Sequence, residues 1–84
     1  MSEESRSVGV VAIIIKNRES ASLVNKITSE FGDIIIGRMG LPYQQRGFNI
    51  ITLIVDASTD TIGALTGKIG KIPNVTVKST LAKV

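Results

Sequence analysis

The chain has 84 residues, a net charge of +3 from ten basic and seven acidic side chains, and neither cysteine nor histidine. This length predicts one domain, in which only about 60–65% of the unfolded surface is buried on folding. Without cysteine there is no disulfide, thiol nucleophile or thiolate metal site. Without histidine the usual general base and the commonest neutral metal ligand are absent. We therefore expect a non-catalytic protein with no metal site and no cofactor.

The apolar runs are far shorter than the roughly 20 residues that cross a membrane, since they cover only residues 8–15, 34–36 and 50–55. Residues 1–7 are polar and of mixed charge, without the apolar core of a signal peptide. The sequence thus predicts a cytoplasmic protein without membrane contact. We expect residues 1–7 to be a disordered N-terminal segment and residues 8–84 to form a single domain.

The first half of the chain predicts a strand, a helix and a second strand. Residues 8–15 are a continuous β-branched run, which is typical of a strand buried on both faces. Asn17 is the expected N-cap of the following helix, and Gly32 is expected to end it. The apolar residues between them fall at helical spacing; they are Leu23, Val24, Ile27 and Phe31.

The second half predicts a strand, a helix and a last strand. Two β-branched runs flank a polar segment containing Gly47, which is the pattern of a β-hairpin. Residues 56–58 offer a second N-cap, and the following helix has an apolar stripe of Ile62, Leu65, Ile69 and Ile72. Residues 75–81 alternate, as in an antiparallel edge strand with one face in water, and Lys78 would discourage unwanted pairing.

This order of elements is the βαββαβ arrangement of the ferredoxin-like α+β fold. Right-handed crossovers place both helices on one face of a four-stranded antiparallel sheet with strand order 4-1-3-2. The other face would then expose a contiguous apolar patch larger than soluble monomers usually show. We therefore predict a homo-oligomer, although strand propensity alone would also explain the isoleucines. The predicted interface residues on the sheet are Val11, Ile13, Ile35, Met39, Ile51 and Leu53.

Two glycines of the second helix, Gly63 and Gly67, are added to the predicted interface. They lie at helical spacing away from the apolar stripe, and each costs about 0.8–1 kcal/mol relative to alanine. Close approach by a helix of a second subunit would explain them, as would a short, frayed helix.

The same topology brings three loops to one end of the domain, and that end is basic. That end also carries the N-terminus of the first helix, where backbone N–H groups favour an anion. We predict that it binds a small anionic ligand or an acidic protein surface, the alternative being a solvated rim without a ligand. The predicted binding residues in these loops are Lys16, Asn17, Arg18, Tyr43 and Arg46.

Arg38 is the one charged residue in the otherwise apolar second strand, and Gly37 and Gly40 remove bulk near it. A charge in that position needs a partner or an outlet to water. Arg38 is therefore also a predicted ligand-binding residue, either bonded to a carboxylate or ligand of a neighbouring chain or exposed at the rim.

Four segments carry a family resemblance: Asn-Arg-Glu-Ser at 17–20, Gly-Asp-Ile-Ile-Ile-Gly-Arg-Met-Gly-Leu-Pro-Tyr at 32–43, Asp-Thr-Ile-Gly-Ala-Leu-Thr-Gly-Lys at 60–68 and Val-Thr-Val-Lys-Ser at 75–79. Through them the chain resembles the iron-only hydrogenase system regulators, which are similar in fold to ACT domains and to the ligand-binding domain of nickel-responsive repressors. The resemblance implies an ACT-like regulatory or binding module, a dimer or tetramer, linked to hydrogenase expression or maturation. It does not extend to the nickel site, which needs histidine or cysteine.

Two other functions are weaker predictions. A nucleic-acid-binding transcriptional regulator on the same fold is the alternative, but sheet-surface RNA binding stacks bases on aromatic side chains, and only Phe31, Tyr43 and Phe48 are aromatic. Residues 1–7 are also too few for the DNA-binding segment of the nickel repressors. An enzyme using Asp33, Asp56 or Lys68 is disfavoured, because the sequence shows no paired carboxylates and no phosphate-binding glycine motif.

Overall fold

The computed structural model describes residues 6–84, which form four strands and two helices. The strands are β1 (Arg6–Ile15), β2 (Ile35–Tyr43), β3 (Phe48–Ser58) and β4 (Val75–Lys83), and the helices are α1 (Arg18–Glu30) and α2 (Thr59–Gly70). Short 3-10 turns at Gly32–Ile34 and Gln44–Arg46 precede and follow β2.

The sheet has the order β2-β3-β1-β4, and every neighbouring pair is antiparallel. This is the predicted order 4-1-3-2 counted from the other edge, so the ferredoxin-like fold is confirmed. β1 and β3 form the centre and pair without interruption from Arg6 opposite Ser58 to Ile15 opposite Asn49. Both edges of the sheet, β2 and β4, are much more exposed than the centre.

The predicted boundary between a disordered segment and the domain needs a correction. Residues 1–5 of the predicted segment 1–7 lie outside the described residues, but Arg6 and Ser7 are the first two residues of β1. Arg6 Nη2 donates a hydrogen bond to Asp56 Oδ1 at 2.9 Å, and Ser7 is buried. The strand thus begins before the apolar run, because these polar residues still pair with β3.

Both helices begin at the predicted caps. The Asn17 side chain accepts a hydrogen bond from Glu19 N at 2.7 Å, and Ser58 Oγ accepts one from Thr61 N at 3.1 Å. Each bond satisfies a backbone donor that has no partner within the helix. The hairpin turns at Gly47, whose φ of 74° lies in the left-handed region that glycine adopts without strain.

The helices cover the face of the sheet to which the core side chains point, and this corrects the predicted interface. Val11, Ile13, Ile51 and Leu53 are at most 8% exposed and belong to the core between sheet and helices. Successive strand residues point to opposite faces, and both faces of β1 and β3 are apolar. Composition therefore did not reveal which face the helices cover.

A β-bulge in β2 puts Ile35 and Met39 on opposite faces of the sheet, although regular alternation would place them on the same face. The register shifts between Ile35 and Gly37, so Ile35 packs against the core while Met39 lies opposite Thr52 on the other face. One extra residue in a strand reverses the direction of every side chain beyond it. Of the predicted sheet interface, only Met39 lies on the uncovered face, and it is 70% exposed.

We call the uncovered side of the sheet the open face. Its centre is apolar, and its β4 edge carries threonines and Lys78. Following the strand registers, its aliphatic residues are Val8, Val10, Ala12, Ile14, Met39, Leu41, Ile50, Ile54 and Ala82, and its aromatic residues are Tyr43 and Phe48.

Candidate functional site

A pocket of about 310 Å³ lies where β1 passes into α1 and where the β2–β3 hairpin turns. We call it the end pocket. The loop before β4 reaches the same end, because Lys16 N donates to Asn74 O at 3.0 Å. The expected meeting of three loops is therefore observed. The pocket is lined by Ile15, Lys16, Asn17, Arg18, Gln44, Gly47, Phe48 and Asn49.

The N-terminus of α1 contributes fewer free N–H groups to this end than expected. The Asn17 side chain accepts from Glu19 N, and the Asn17 carbonyl oxygen accepts from Ser20 N and Ala21 N at 3.1 and 3.3 Å. These donors are already satisfied within the helix. An anion in the end pocket would instead meet the side chains of Lys16 and Arg18, while Asn17 acts mainly as the helix cap.

Tyr43 and Arg46 are not among the lining residues of the end pocket, but both contact Phe48, which is. The Tyr43 and Phe48 rings meet edge to face, with centroids 5.7 Å apart and planes at 78°. The Arg46 guanidinium carbon lies 5.3 Å from the Phe48 centroid, a cation–π contact. Sequence reasoning missed Phe48 as a lining residue, although its place opposite Tyr43 across a short hairpin was a usable signal.

Arg38 lies outside the end pocket and bridges β2 to α1. Its Nη1 donates to Thr28 Oγ1 at 3.0 Å, and its Nη2 donates to the side-chain oxygen of Asn25. Both acceptors are neutral oxygens of the same chain, and a bond from Arg38 to a neighbouring chain or ligand stays a prediction. The bridge fixes the guanidinium and leaves its charge without a carboxylate.

Arg38 stands at one end of a second concavity, which we call the side groove. The side groove has a volume of about 260 Å³ and runs between α1 and the β2–β3 hairpin. Ile15 and Asn49 line both the side groove and the end pocket, so the two adjoin each other. The other lining residues of the side groove are Ala21, Asn25, Arg38, Gly40, Leu41, Pro42, Ile50 and Ile51.

The cations of this region have no ion-pair partner among residues 6–84. Two ion pairs are found there, Arg6 with Asp56 at 2.9 Å and Lys68 with Glu30 at 3.8 Å. Neither involves the end pocket or the side groove. The basic side chains that line these two concavities are Lys16, Arg18 and Arg38, and none of them has a carboxylate partner among residues 6–84.

Gly63 and Gly67 lie on the exposed side of α2. A Cβ atom added at either position would meet no other atom within 4 Å. The space beside them is therefore open in the single chain, and an interface role for these glycines stays a prediction.

Two further observations concern metal binding and membranes. Within residues 6–84, no group of three or more acidic side chains is placed to hold a metal ion. None of the helices in that part of the chain is long and apolar enough to cross a membrane.

The βαββαβ topology defines a protein of the ferredoxin/ACT-like fold. Its structure is similar to that of the uncharacterized protein TM1266 from Thermotoga maritima, with 32% identity, coverage of 93% of this chain and 99% of the other, and a TM-score of 0.88. Residues 7–79 match the TM1266-like family, described as "Iron-only hydrogenase system regulator, putative". The chain belongs to this family, so the resemblance drawn from its motifs is confirmed.

Other solved structures share the fold at lower identity. The ACT domain of GTP pyrophosphokinase from Chlorobium tepidum has 18% identity and a TM-score of 0.72, over 88% of this chain and 96% of that one. The C-terminal domain of MgtC from Mycobacterium tuberculosis has 16% identity and a TM-score of 0.67, over 99% and 95%. No functionally curated protein matches the chain significantly. The family description points to a regulatory role. The structures of lower identity show the fold alone.

Proposed function

We propose that this protein is a cytoplasmic, non-catalytic regulatory module that binds an anionic ligand or an acidic partner at the end pocket. Its assembly is a homo-oligomer, a dimer or tetramer, and its regulatory target is the expression or maturation of iron-only hydrogenase. The family description supports the hydrogenase link. The end pocket supports the binding role.

One observation carries the binding proposal. Lys16 and Arg18 stand side by side on the lining of the end pocket, and neither has a carboxylate partner among residues 6–84. Cations gathered in a concave site attract anions more strongly than isolated surface charges do. Gln44 and Asn49 add side-chain amide donors to the same lining. An anion bound there would gain charge-assisted hydrogen bonds from one wall and neutral ones from the other.

The open face supports assembly into oligomers. Val10, Met39, Leu41 and Ile54 are each between 42% and 70% exposed there. Apolar patches of this kind on small proteins mark interaction surfaces. A second copy that packs its own open face against the first would remove both patches from water.

A nucleic-acid-binding role is the weaker alternative, and the open face argues against it. By strand register the centre of this face is aliphatic, and threonines, Asp56 and Lys78 add polar groups. Its aromatic residues, Tyr43 and Phe48, lie at the hairpin tip and pack against each other. The centre of the open face therefore offers no aromatic platform for the base stacking that sheet-surface RNA binding uses.

Isothermal titration calorimetry with sodium pyrophosphate at low ionic strength tests the binding proposal. We expect the wild type to bind and the double variant Lys16→Gln with Arg18→Gln to lose about tenfold or more in affinity, at roughly 1 kcal/mol per exposed ion pair and 1.4 kcal/mol per factor of ten. The matched control is Lys26→Gln with Lys78→Gln, which changes the net charge equally at residues outside the end pocket. Equal loss in both double variants would refute a specific site.

A further inference from the structure

The side groove and the end pocket adjoin each other, and we call the pair the channel; it has a positive charge at each end. Lys16 and Arg18 line the end pocket, Arg38 lines the far part of the side groove, and the two concavities meet at Ile15 and Asn49. Between the charges the floor is largely apolar, with Ile15 from β1 and Ile51 from β3.

Gly40 creates the open space in the middle of this channel. On the helix-covered face of β2, Gly40 stands between Arg38 and Pro42, and its partner across the sheet is the core residue Ile51. A Cβ atom added at Gly40 would meet nothing within 4 Å, and its φ is not in the left-handed region. No backbone constraint therefore requires glycine here. What glycine provides is room above the apolar floor.

Arg38 is held in a position to receive an anion. Its two bonds to Thr28 and Asn25 use two of the five N–H donors of the guanidinium. The remaining donors have no carboxylate among residues 6–84. Because neutral oxygens of α1 already fix the side chain, little of its rotamer entropy is left to lose on binding.

The spacing of the two charged ends follows from α1, which forms one wall. Asn17 marks the end pocket and Asn25 contacts Arg38; eight helical residues at a rise of 1.5 Å span about 12 Å. An extended peptide rises about 3.3 Å per residue, so residues four apart are separated by about 13 Å and point to the same side. The residue midway between them also points to that side.

We infer that the channel binds an extended segment of a partner protein with the pattern acidic-x-apolar-x-acidic. One carboxylate lies on Lys16 and Arg18, the apolar side chain enters the space above Gly40, and the other carboxylate lies on Arg38. The assignment rests on the proposed function, because it uses the end pocket for one of the two anions. A peptide fits better than a small molecule, since the channel is open along its length, whereas small ligands are mostly enclosed.

Fluorescence polarisation with labelled five-residue peptides tests this assignment. The test peptide is Glu-Ser-Leu-Ser-Glu, and the matched control is its isomer Glu-Ser-Leu-Glu-Ser, with the same charge and composition but a shorter acidic spacing. We expect the test peptide to bind about threefold to tenfold more tightly, the gain of one additional ion pair. Replacing its leucine with serine should also weaken binding.

Two protein variants make the test specific to the channel. Gly40→Leu fills the space above the floor and should reduce affinity for the test peptide about tenfold or more. The control is Gly32→Leu in the 3-10 turn before β2, where an added Cβ atom also meets nothing within 4 Å. Arg38→Gln should reduce affinity about threefold to tenfold for the test peptide. Two further peptides each carry glutamine in place of one glutamate of the test peptide. The Arg38→Gln variant should bind one of these two as well as the wild type does, namely the peptide that lacks the carboxylate contacting Arg38.

The outcomes separate this inference from the proposed function. The inference would be overturned if the two isomeric peptides bound equally well and if neither Gly40→Leu nor Arg38→Gln changed their affinity. Pyrophosphate binding at the end pocket would be unaffected by that result. Failure of pyrophosphate to bind would remove the proposed function itself. Binding of a simple dicarboxylate with the same dependence on Arg38, but no binding of the test peptide, would overturn the assignment to a protein segment.

Discussion

Met39 gives the sharpest prediction about assembly, because it is the most exposed large apolar side chain on the open face. Complete burial of such a side chain is worth about 1.5–3 kcal/mol, and 70% of Met39 remains to be covered. Covering it contributes about 1–2 kcal/mol per subunit, and a symmetric dimer contains it twice. Met39→Ala should therefore weaken a dimer by about 2–4 kcal/mol, a rise in Kd of about 30-fold to 700-fold.

Sedimentation velocity over a range of protein concentrations measures this Kd. Leu23→Ala is the matched control, because Leu23 is 48% exposed but lies on α1, on the other side of the sheet. The control should leave the dimer unchanged, and neither variant should greatly alter the unfolding free energy of the monomer. A Kd that does not respond to Met39→Ala, or a wild type that stays monomeric at millimolar concentration, would refute assembly through the open face.

Three further predictions concern stability and are measured by urea denaturation. Asn17→Ala should cost about 1 kcal/mol through loss of the α1 cap, and Asn17→Ser should restore most of it; no recovery would contradict a capping role. Leu53→Ala should cost about 2–5 kcal/mol as a core cavity, whereas a change below 1 kcal/mol would contradict its burial. Gly47→Ala should cost about 1 kcal/mol because of the left-handed backbone, and an unchanged midpoint would contradict that turn.

Periodicity and cap chemistry were sufficient to predict the fold. Residues 8–15 and 75–81 fall inside β1 and β4, and Asn17 and Ser58 cap the helices. These features are local, and each depends on the spacing of neighbouring residues. The strand order followed from the handedness of the crossovers, which is a general rule.

The face of each strand residue could not be predicted in the same way. In a strand with one polar and one apolar face, the apolar face must point to the core. β1 and β3 are apolar on both faces, so their sequences do not show which face is covered. Val11 and Ile13 were therefore assigned to the wrong side. The bulge in β2 has no strong sequence signal, and it alone places Ile35 and Met39 on opposite faces.

The sequence predicted which basic residues lie at the loop end, but it predicted only part of their arrangement in space. Lys16 and Arg18 line the end pocket as expected, because the topology brings the loops to one end. Arg38 was identified by its unusual position in an apolar strand. Its partners on α1, Asn25 and Thr28, were not predicted, because they depend on how the helix packs over β2.

An NMR titration of the labelled protein with sodium pyrophosphate tests the central claim most directly, because it reports binding at each backbone amide. We expect saturable shifts confined to residues 15–18 and 44–49, which surround the end pocket. Amides of the open face near Lys78 should not move. Shifts of similar size at every lysine and arginine, without saturation, would contradict the existence of a site.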